Sequence, residues 1–314
     1  MPAELPDSQG SRFGPHILAY FLVLCLIWGA TYVVIKVGLQ HSPPLAFTFL
    51  RAALGGAVLA VYAFATTRRA PTDRHTHGSA IVLGLTNVAL FWGMMNLGLT
   101  HISAGESSIL TYTQPLMVSV LAWAWLGEKL PSGKMVGLLL GFVGVVAVVG
   151  GKVQFSGELS WAGYVMTLIG ALSWAIGTVY FKARQAKLDL LWITALQALY
   201  GAIPLAALTL ALEQPRLDLS WELAWAVGFC GLGSSALAYL LWFYLLRHRS
   251  ASEVTAYIFL VPLFAVLFGA LVLGERLGAL TLLGACLILG GIYLVNRVSL
   301  PSSQPQTPLP KETI

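Results

Sequence analysis

Charge is what this chain has least of. Only 10% of its 314 residues are Asp, Glu, Lys or Arg, whereas 57% are hydrophobic. Soluble domains carry about 25% charged residues, so a water-soluble globular fold is excluded. Cysteine is scarce as well. The three present, Cys25, Cys230 and Cys286, are scattered through apolar sequence, with the clustering of neither a disulfide framework nor a metal site. No Asp or Glu lies at the centre of any apolar run. A deep carboxylate proton relay therefore lacks its groups, although coupling to protons at a cavity rim stays open. The six histidines fall mostly at segment ends or in loops, so an enzyme buried in the membrane lacks its usual cluster of His, Asp and Glu. No catalytic residue, metal or cofactor is expected.

What is present is apolar sequence in stretches of about 20 residues, the length at which a helix crosses a hydrocarbon core of roughly 30 Å. Ten such spans are predicted, near residues 17–38, 44–65, 79–100, 104–126, 132–150, 160–181, 189–212, 223–246, 252–273 and 278–297. The first is too long, and with Lys36 too polar at its far end, to be a cleaved signal. Residues 1–15 and 299–314 read as disordered cytoplasmic tails. With the N-terminus inside, 13 of the 18 Lys and Arg residues fall on the cytoplasmic side, as the positive-inside rule requires. The net charge of +5 thus sets orientation and does not mark a nucleic-acid surface. Both termini are expected in the cytoplasm of a bacterial inner-membrane protein. The histidines of the longest basic loop, His75 and His77, read as solvated loop residues in preference to metal ligands.

The chain is also duplicated. Leu99–Leu130 returns without a gap as Leu246–Leu277, with 11 of 32 positions identical, among them His101/His248, Glu106/Glu253, Pro115/Pro262, Gly127/Gly274 and Glu128/Glu275. At an offset of 146, Trp28 meets Trp174, Lys36 meets Lys182, Arg51 meets Gln197 and Gly55 meets Gly201. At an offset of 147, Gly84 meets Gly231, Gly137 meets Gly284 and Gly144 meets Gly291. Each repeat, 16–151 and 159–298, therefore holds five spans. An odd number inverts the second copy relative to the first, the plan of many secondary transporters. The fold class is an all-α integral membrane protein of ten helices in two inverted five-helix repeats.

Within that frame, Pro115 and Pro262 sit near the middle of spans four and nine. Each should kink its helix and partly free the carbonyl four residues back, which hydrocarbon tolerates only beside protein or a wet cavity. Span four carries Ser107, Thr111 and Gln114 on one helical face, and span eight carries Ser235, Tyr239 and Trp242 at the same i, i+4, i+7 spacing, next to Ser234. Asn87 and Asn96 in span three, Trp28, Trp174 and Tyr257 complete a set of hydrogen-bonding groups and aromatic walls. Singly these residues tie helices together; as a set they suit a small polar or zwitterionic solute. Arg51 admits two readings: a contact for an anion or carboxylate near an outer gate, with Lys36 close to the rim, or a side chain that snorkels outward or pairs structurally. Glu106 is a candidate proton carrier, but Ser103-x-x-Glu106 and Ser250-x-x-Glu253 match the capping box at a helix start, and that reading is preferred. Gly137, Gly141 and Gly144 in span five, and Gly284, Gly290 and Gly291 in span ten, allow close helix approach, within one protomer in preference to between two.

The Trp28-Gly29…Lys36 stretch, Pro44…Arg51, and Pro115 followed by Leu126-Gly127-Glu128-Lys129-Leu130 and a glycine-rich span resemble the EamA-type branch of the drug/metabolite transporter superfamily. Pro262, Gly274, Glu275 and Arg276 repeat the pattern. The resemblance covers roughly residues 17–297, with the second half matching less well around Gly177. It implies two EamA repeats, a central cavity from spans one, three, four, six, eight and nine, and movement of small metabolites. Amino-acid exporters, nucleotide-sugar carriers and sugar-phosphate carriers all belong to that group.

The expected function is a secondary carrier, open to each side of the bilayer in turn, for an amino acid or related neutral or aromatic compound, with export the preferred direction. A nucleotide-sugar carrier of the same fold is the alternative; a channel or membrane enzyme is the alternative of a different class. A phosphorylated solute should meet several Arg or Lys residues, and only Arg51 and Lys36 are at hand. The expected partners are the solute, the lipid bilayer and a proton as a candidate coupling ion. A monomer and a homodimer are both compatible with the sequence.

Overall fold

The computed structural model describes residues 15–67, 69–98, 101–102, 104–150, 161–214, 217–273 and 278–298, and every regular element among them is helical. Ten apolar segments run in order: α1 (Pro15–Gly38), α2 (Pro44–Thr67), α3 (Arg74–Gly98), α4 (residues 104–126), α5 (Ser132–Gly150), α6 (Trp161–Arg184), α7 (Leu190–Leu212), α8 (Trp221–His248), α9 (residues 251–273) and α10 (Ala279–Val298). The two tails, the loop 151–160 and Gly274, Glu275 and Arg276 lie outside the described residues.

Polar caps start the helices where the apolar runs begin. Asp73 accepts the Thr76 N–H at 2.7 Å, Asp189 that of Trp192 at 2.9 Å, and Ser220 that of Leu223 at 3.2 Å. Ser250 accepts the Glu253 N–H at 3.4 Å, which is the hydroxyl half of the expected capping box at α9. Its counterpart in the first repeat, Ser103 with the Glu106 side chain, lies outside the described residues. His77 has both ring nitrogens engaged, with the Tyr200 hydroxyl at 2.6 Å and the Pro71 carbonyl at 2.8 Å.

Two-fold relations organise the bundle. α5 packs along α10 and α2 along α7; α3 crosses α6 and α7, as α8 crosses α1 and α2. These helices meet backbone to backbone at paired glycines. A Cβ on Gly291 would lie 2.5 Å from the Gly137 carbonyl oxygen, and one on Gly284 would lie 2.6 Å from that of Gly144. Across the other crossings, Gly55 faces the Gly231 carbonyl, and a Cβ on Gly201 would lie 2.6 Å from the Gly84 carbonyl. Gly290, grouped with these glycines by spacing, takes no part: a Cβ there meets only the Leu140 side chain, at 3.6 Å.

Both inverted copies break helical regularity at matching places. α3 widens into a π-helix over Gly84–Leu90, and α8 over Phe229–Leu237. Sequence periodicity does not foresee either turn. At the prolines the departure also exceeds a simple kink. α4 is interrupted at residues 112–113 and restarts at Gln114 with Pro115 in its first turn, while α9 tightens into a 3₁₀ turn at Tyr257–Phe259 just before Pro262. Restarting the helix at its first turn is where proline costs least, because the N–H it lacks would have no partner there.

Gly291→Ala should lower the thermal stability of purified protein by about 1–3 kcal/mol, the cost of overpacking a tight contact, whereas Gly290→Ala should be neutral or stabilising. Melting followed by size-exclusion in detergent checks the pair; equal effects at the two neighbours would contradict this packing.

Candidate functional site

The chain termini place the start of α1 and the end of α10 at one end of the bundle, here termed the terminal end; the opposite end is the far end. A cavity of about 90 Å³ opens from mid-depth toward the far end, with room for several waters or a small organic molecule. It reaches Ile35 and Met95, each about one turn from the end of its helix. Its lining comes from α1 (Trp28, Thr31, Ile35), α2 (Arg51), α3 (Phe91, Trp92, Met95), α4 (Thr111, Tyr112, Gln114), α6 (Trp174), α8 (Ser234, Tyr239) and α9 (Ile258, Val261). These are the six helices that the family resemblance implied, with α2 added.

The floor is aromatic. Trp174 donates its indole N–H to the Tyr239 hydroxyl at 3.2 Å, and Tyr239 donates onward to the Asn87 carbonyl, in the α3 π turn, at 3.3 Å. Trp92 and Trp28 each meet Tyr239 edge to face, with ring centroids 5.8 Å apart in both pairs. Trp28 also donates to the Ser234 carbonyl at 3.5 Å. These bonds lock ring orientations that area burial alone would leave free.

Arg51 is 4% exposed, with its guanidinium carbon 3.8 Å from the Trp92 ring centroid. The side chain therefore does not snorkel outward; it turns into the protein and forms part of the cavity wall. A cation on an aromatic face recovers up to about 2 kcal/mol of the cost of dehydration. Among the described lining residues none is Asp or Glu, and Arg51 is the one Lys or Arg. Gln114 is 3% exposed and its Nε2 has no hydrogen-bond partner. A buried donor left unmatched is costly unless a ligand or water completes it.

Of the residues singled out by sequence, the structure brings Trp28, Arg51, Thr111, Gln114, Trp174 and Tyr239 together around one space. Five others lie elsewhere. Asn87 is fully buried behind the floor and donates its amide to Gln197 at 3.2 Å. Trp242 backs the floor, 4.9 Å from Trp174 and 5.7 Å from Trp28. Ser235 packs against Gly55, and its neighbour Ser234 takes the lining position. The reason is the π turn: one extra residue per turn shifts the face, so Ser234 and not Ser235 lines the cavity with Tyr239. Tyr257 stacks on Phe21 at 4.0 Å and accepts from Asn296 at 3.0 Å, in the terminal half. Asn96 ties α3 to α2 through Thr48 at 2.5 Å. The side chains of Lys36 and Glu106 lie outside the described residues. Trp92 is a lining residue that sequence reasoning misses, though it finds the repeat mate Tyr239; pairing mates across the duplication exposes it.

The lining is symmetric in position and unequal in chemistry. Thr111 and Gln114 line the cavity together with their repeat mates Ile258 and Val261, and Trp92 meets its mate Tyr239. At these two positions the first repeat supplies polar side chains and the second apolar ones.

Comparison with known proteins places these features in context. The EamA-like transporter family matches residues 16–150 and 161–297. The "Uncharacterized transporter YvbV" of Bacillus subtilis is 33% identical over 298 residues, covering 94% of each chain. The "Uncharacterized inner membrane transporter YedA" of Escherichia coli K12 is 28% identical over 274 residues, 87% of this chain and 88% of its own. A crystal structure with 19% identity superposes with a TM-score of 0.78 over 89% of this chain and 96% of the other, a likeness of fold alone.

Arg51→Gln, which installs the second repeat's residue, should cut transport at least about tenfold while leaving melting temperature unchanged or raised, since insertion scales put a buried Arg at roughly 2.5–3.5 kcal/mol. Gln114→Ala and Trp28→Ala should lower transport without loss of folded protein. Parallel loss of folding and flux in all three would make them structural.

Proposed function

The chain belongs to the EamA-like transporter family, and from that premise we propose that this multi-pass membrane transporter is a secondary carrier for a small solute bearing a carboxylate and an apolar or aromatic body. An amino acid is the class that fits. The observation that carries this reading is Arg51, buried on Trp92 in the wall of a cavity whose described lining residues include no Asp or Glu. A carboxylate would find a charge-assisted donor in the Arg51 guanidinium, Thr111 and Gln114 offer further polar contacts, and Ile258 and Val261 suit an apolar tail.

A nucleotide-sugar carrier is the second reading. It is disfavoured because phosphates call for several cations and Arg51 is the one Lys or Arg among the described lining residues. A channel is disfavoured because the cavity ends at an aromatic floor. The inverted repeat and a cavity open toward one end support alternating access. The excess of Lys and Arg in the loops on one side supports cytoplasmic termini and, with YedA named an inner membrane transporter, a place in a bacterial inner membrane. Export is the direction that suits a solute accumulated inside.

Proteoliposomes loaded with an amino-acid mixture should show counterflow for at least one member. Silence across amino acids with uptake of a nucleotide sugar would overturn the substrate class, and flux without trans-stimulation would overturn the carrier. If protons are coupled, an imposed pH gradient should drive accumulation above equilibrium; its failure to do so would indicate facilitated diffusion.

A further inference from the structure

The cavity is shut at the terminal end by more than apolar packing. We propose that Lys182 and Glu128 form a latch that holds this end closed by gripping the turn between α8 and α9. From the end of α6, the Lys182 ammonium donates to the Leu246 carbonyl and, at 2.7 Å, to that of Arg249. From beyond the end of α4, the Glu128 carboxylate accepts the N–H groups of Ala251 at 2.7 Å and Ser252 at 3.3 Å, and the Ser252 hydroxyl at 2.6 Å. One helix end and the next helix start are thus each held by the charge that complements the exposed peptide groups there. Around the same turn lie Lys134, whose ammonium is 3.5 Å from the Ser250 hydroxyl, Glu253 close by, and Arg247, which donates to the Gln185 and Leu188 carbonyls.

Two aromatic stacks stand between the latch and the cavity floor: Phe181 on Phe243 and Phe21 on Tyr257, both at 4.0 Å. Phe181 adjoins Lys182, and Phe243 lies one turn before Leu246. Releasing the turn therefore frees one partner of each stack, on α8 and α9, from one on α6 and α1. All the groups in the latch lie at helix ends, where water can replace each bond once the turn moves. Glu213 makes a similar grip at the far end, accepting the Leu45 and Ala46 N–H groups at 2.8 and 2.9 Å. That grip joins α7 to α2, which already pack along their length, and it controls no seal. The first repeat has Gly105 where the second has Ser252, so the hydroxyl contact belongs to this end alone.

The latch rests on the carrier reading, and a native thiol reports on it. Cys25, fully buried in the sealed half, donates to the Tyr257 carbonyl at 3.4 Å. With Cys230→Ala and Cys286→Ala, it is the only thiol left. On purified full-length protein without substrate, a charged maleimide should label Cys25 slowly. Glu128→Gln and Lys182→Met should each speed labelling about tenfold or more, the scale of a charge-assisted hydrogen bond, and Ser252→Gly roughly threefold. Lys182→Arg should stay near the parent rate, and Glu213→Gln should leave it unchanged. Unchanged rates in the latch variants, or an equal rise with Glu213→Gln, would overturn the latch. If the charge variants do not elute as one species, Ser252→Gly against Glu213→Gln decides. Intact counterflow with a failed labelling pattern rejects the latch alone; the expected pattern without amino-acid counterflow rejects the substrate assignment alone.

Discussion

Contact of backbone on backbone at paired glycines is the constraint on which this whole bundle depends. Lipid offers helices no hydrophobic drive to associate, so they must gain energy by approaching closely. Gly137 with Gly291 and Gly144 with Gly284 bring α5 onto α10. Gly55 with Gly231 and Gly84 with Gly201 do the same where α2 crosses α8 and α3 crosses α7. At those latter crossings the glycine begins or lies within a π turn. The wider turn rotates the remainder of its helix, which is how Tyr239 comes over the cavity floor and Asn87 behind it.

A symmetric scaffold thereby encloses an unsymmetric site. Repeat mates line the same cavity, yet among the described lining residues only the first repeat contributes a charge. Arg51 lies on Trp92, while its mate Gln197 is consumed by a hydrogen bond to Asn87. Divergence between copies sets the polarity of the cavity wall, while shared residues supply its aromatic lining, Trp28 and Trp174, as well as packing and capping. Glu128 illustrates the point: it caps a helix and pins a turn, with no part in the cavity.

The spans, the duplication and its inversion are legible in the sequence because bilayer thickness imposes a length on every helix, and a repeat is visible without knowing any contact. Six of the expected cavity residues face one space. The departures have specific causes. Spacing of 3.6 residues selects Ser235 in place of Ser234, because it takes no account of a π turn. Depth judged from Pro262 places Tyr257 near the site, whereas the 3₁₀ turn and the stack on Phe21 turn it to the sealed half. Trp92 escapes notice because one aromatic residue in apolar sequence carries no signal until its mate is considered.

Composition and periodicity alone dictate a membrane protein of ten helices in two inverted halves, for they leave hydrocarbon no other solution. They also locate the asymmetry, Arg51 against Gln197 and Gln114 against Val261. It takes the folded bundle to show that Arg51 turns inward onto Trp92, that Asn87 serves Gln197, and that Lys182 and Glu128 grip the turn at one end. Those outcomes depend on helices distant in the chain meeting at specific rotations. Glycine contacts and π turns set the rotations, and no local pattern of residues encodes them.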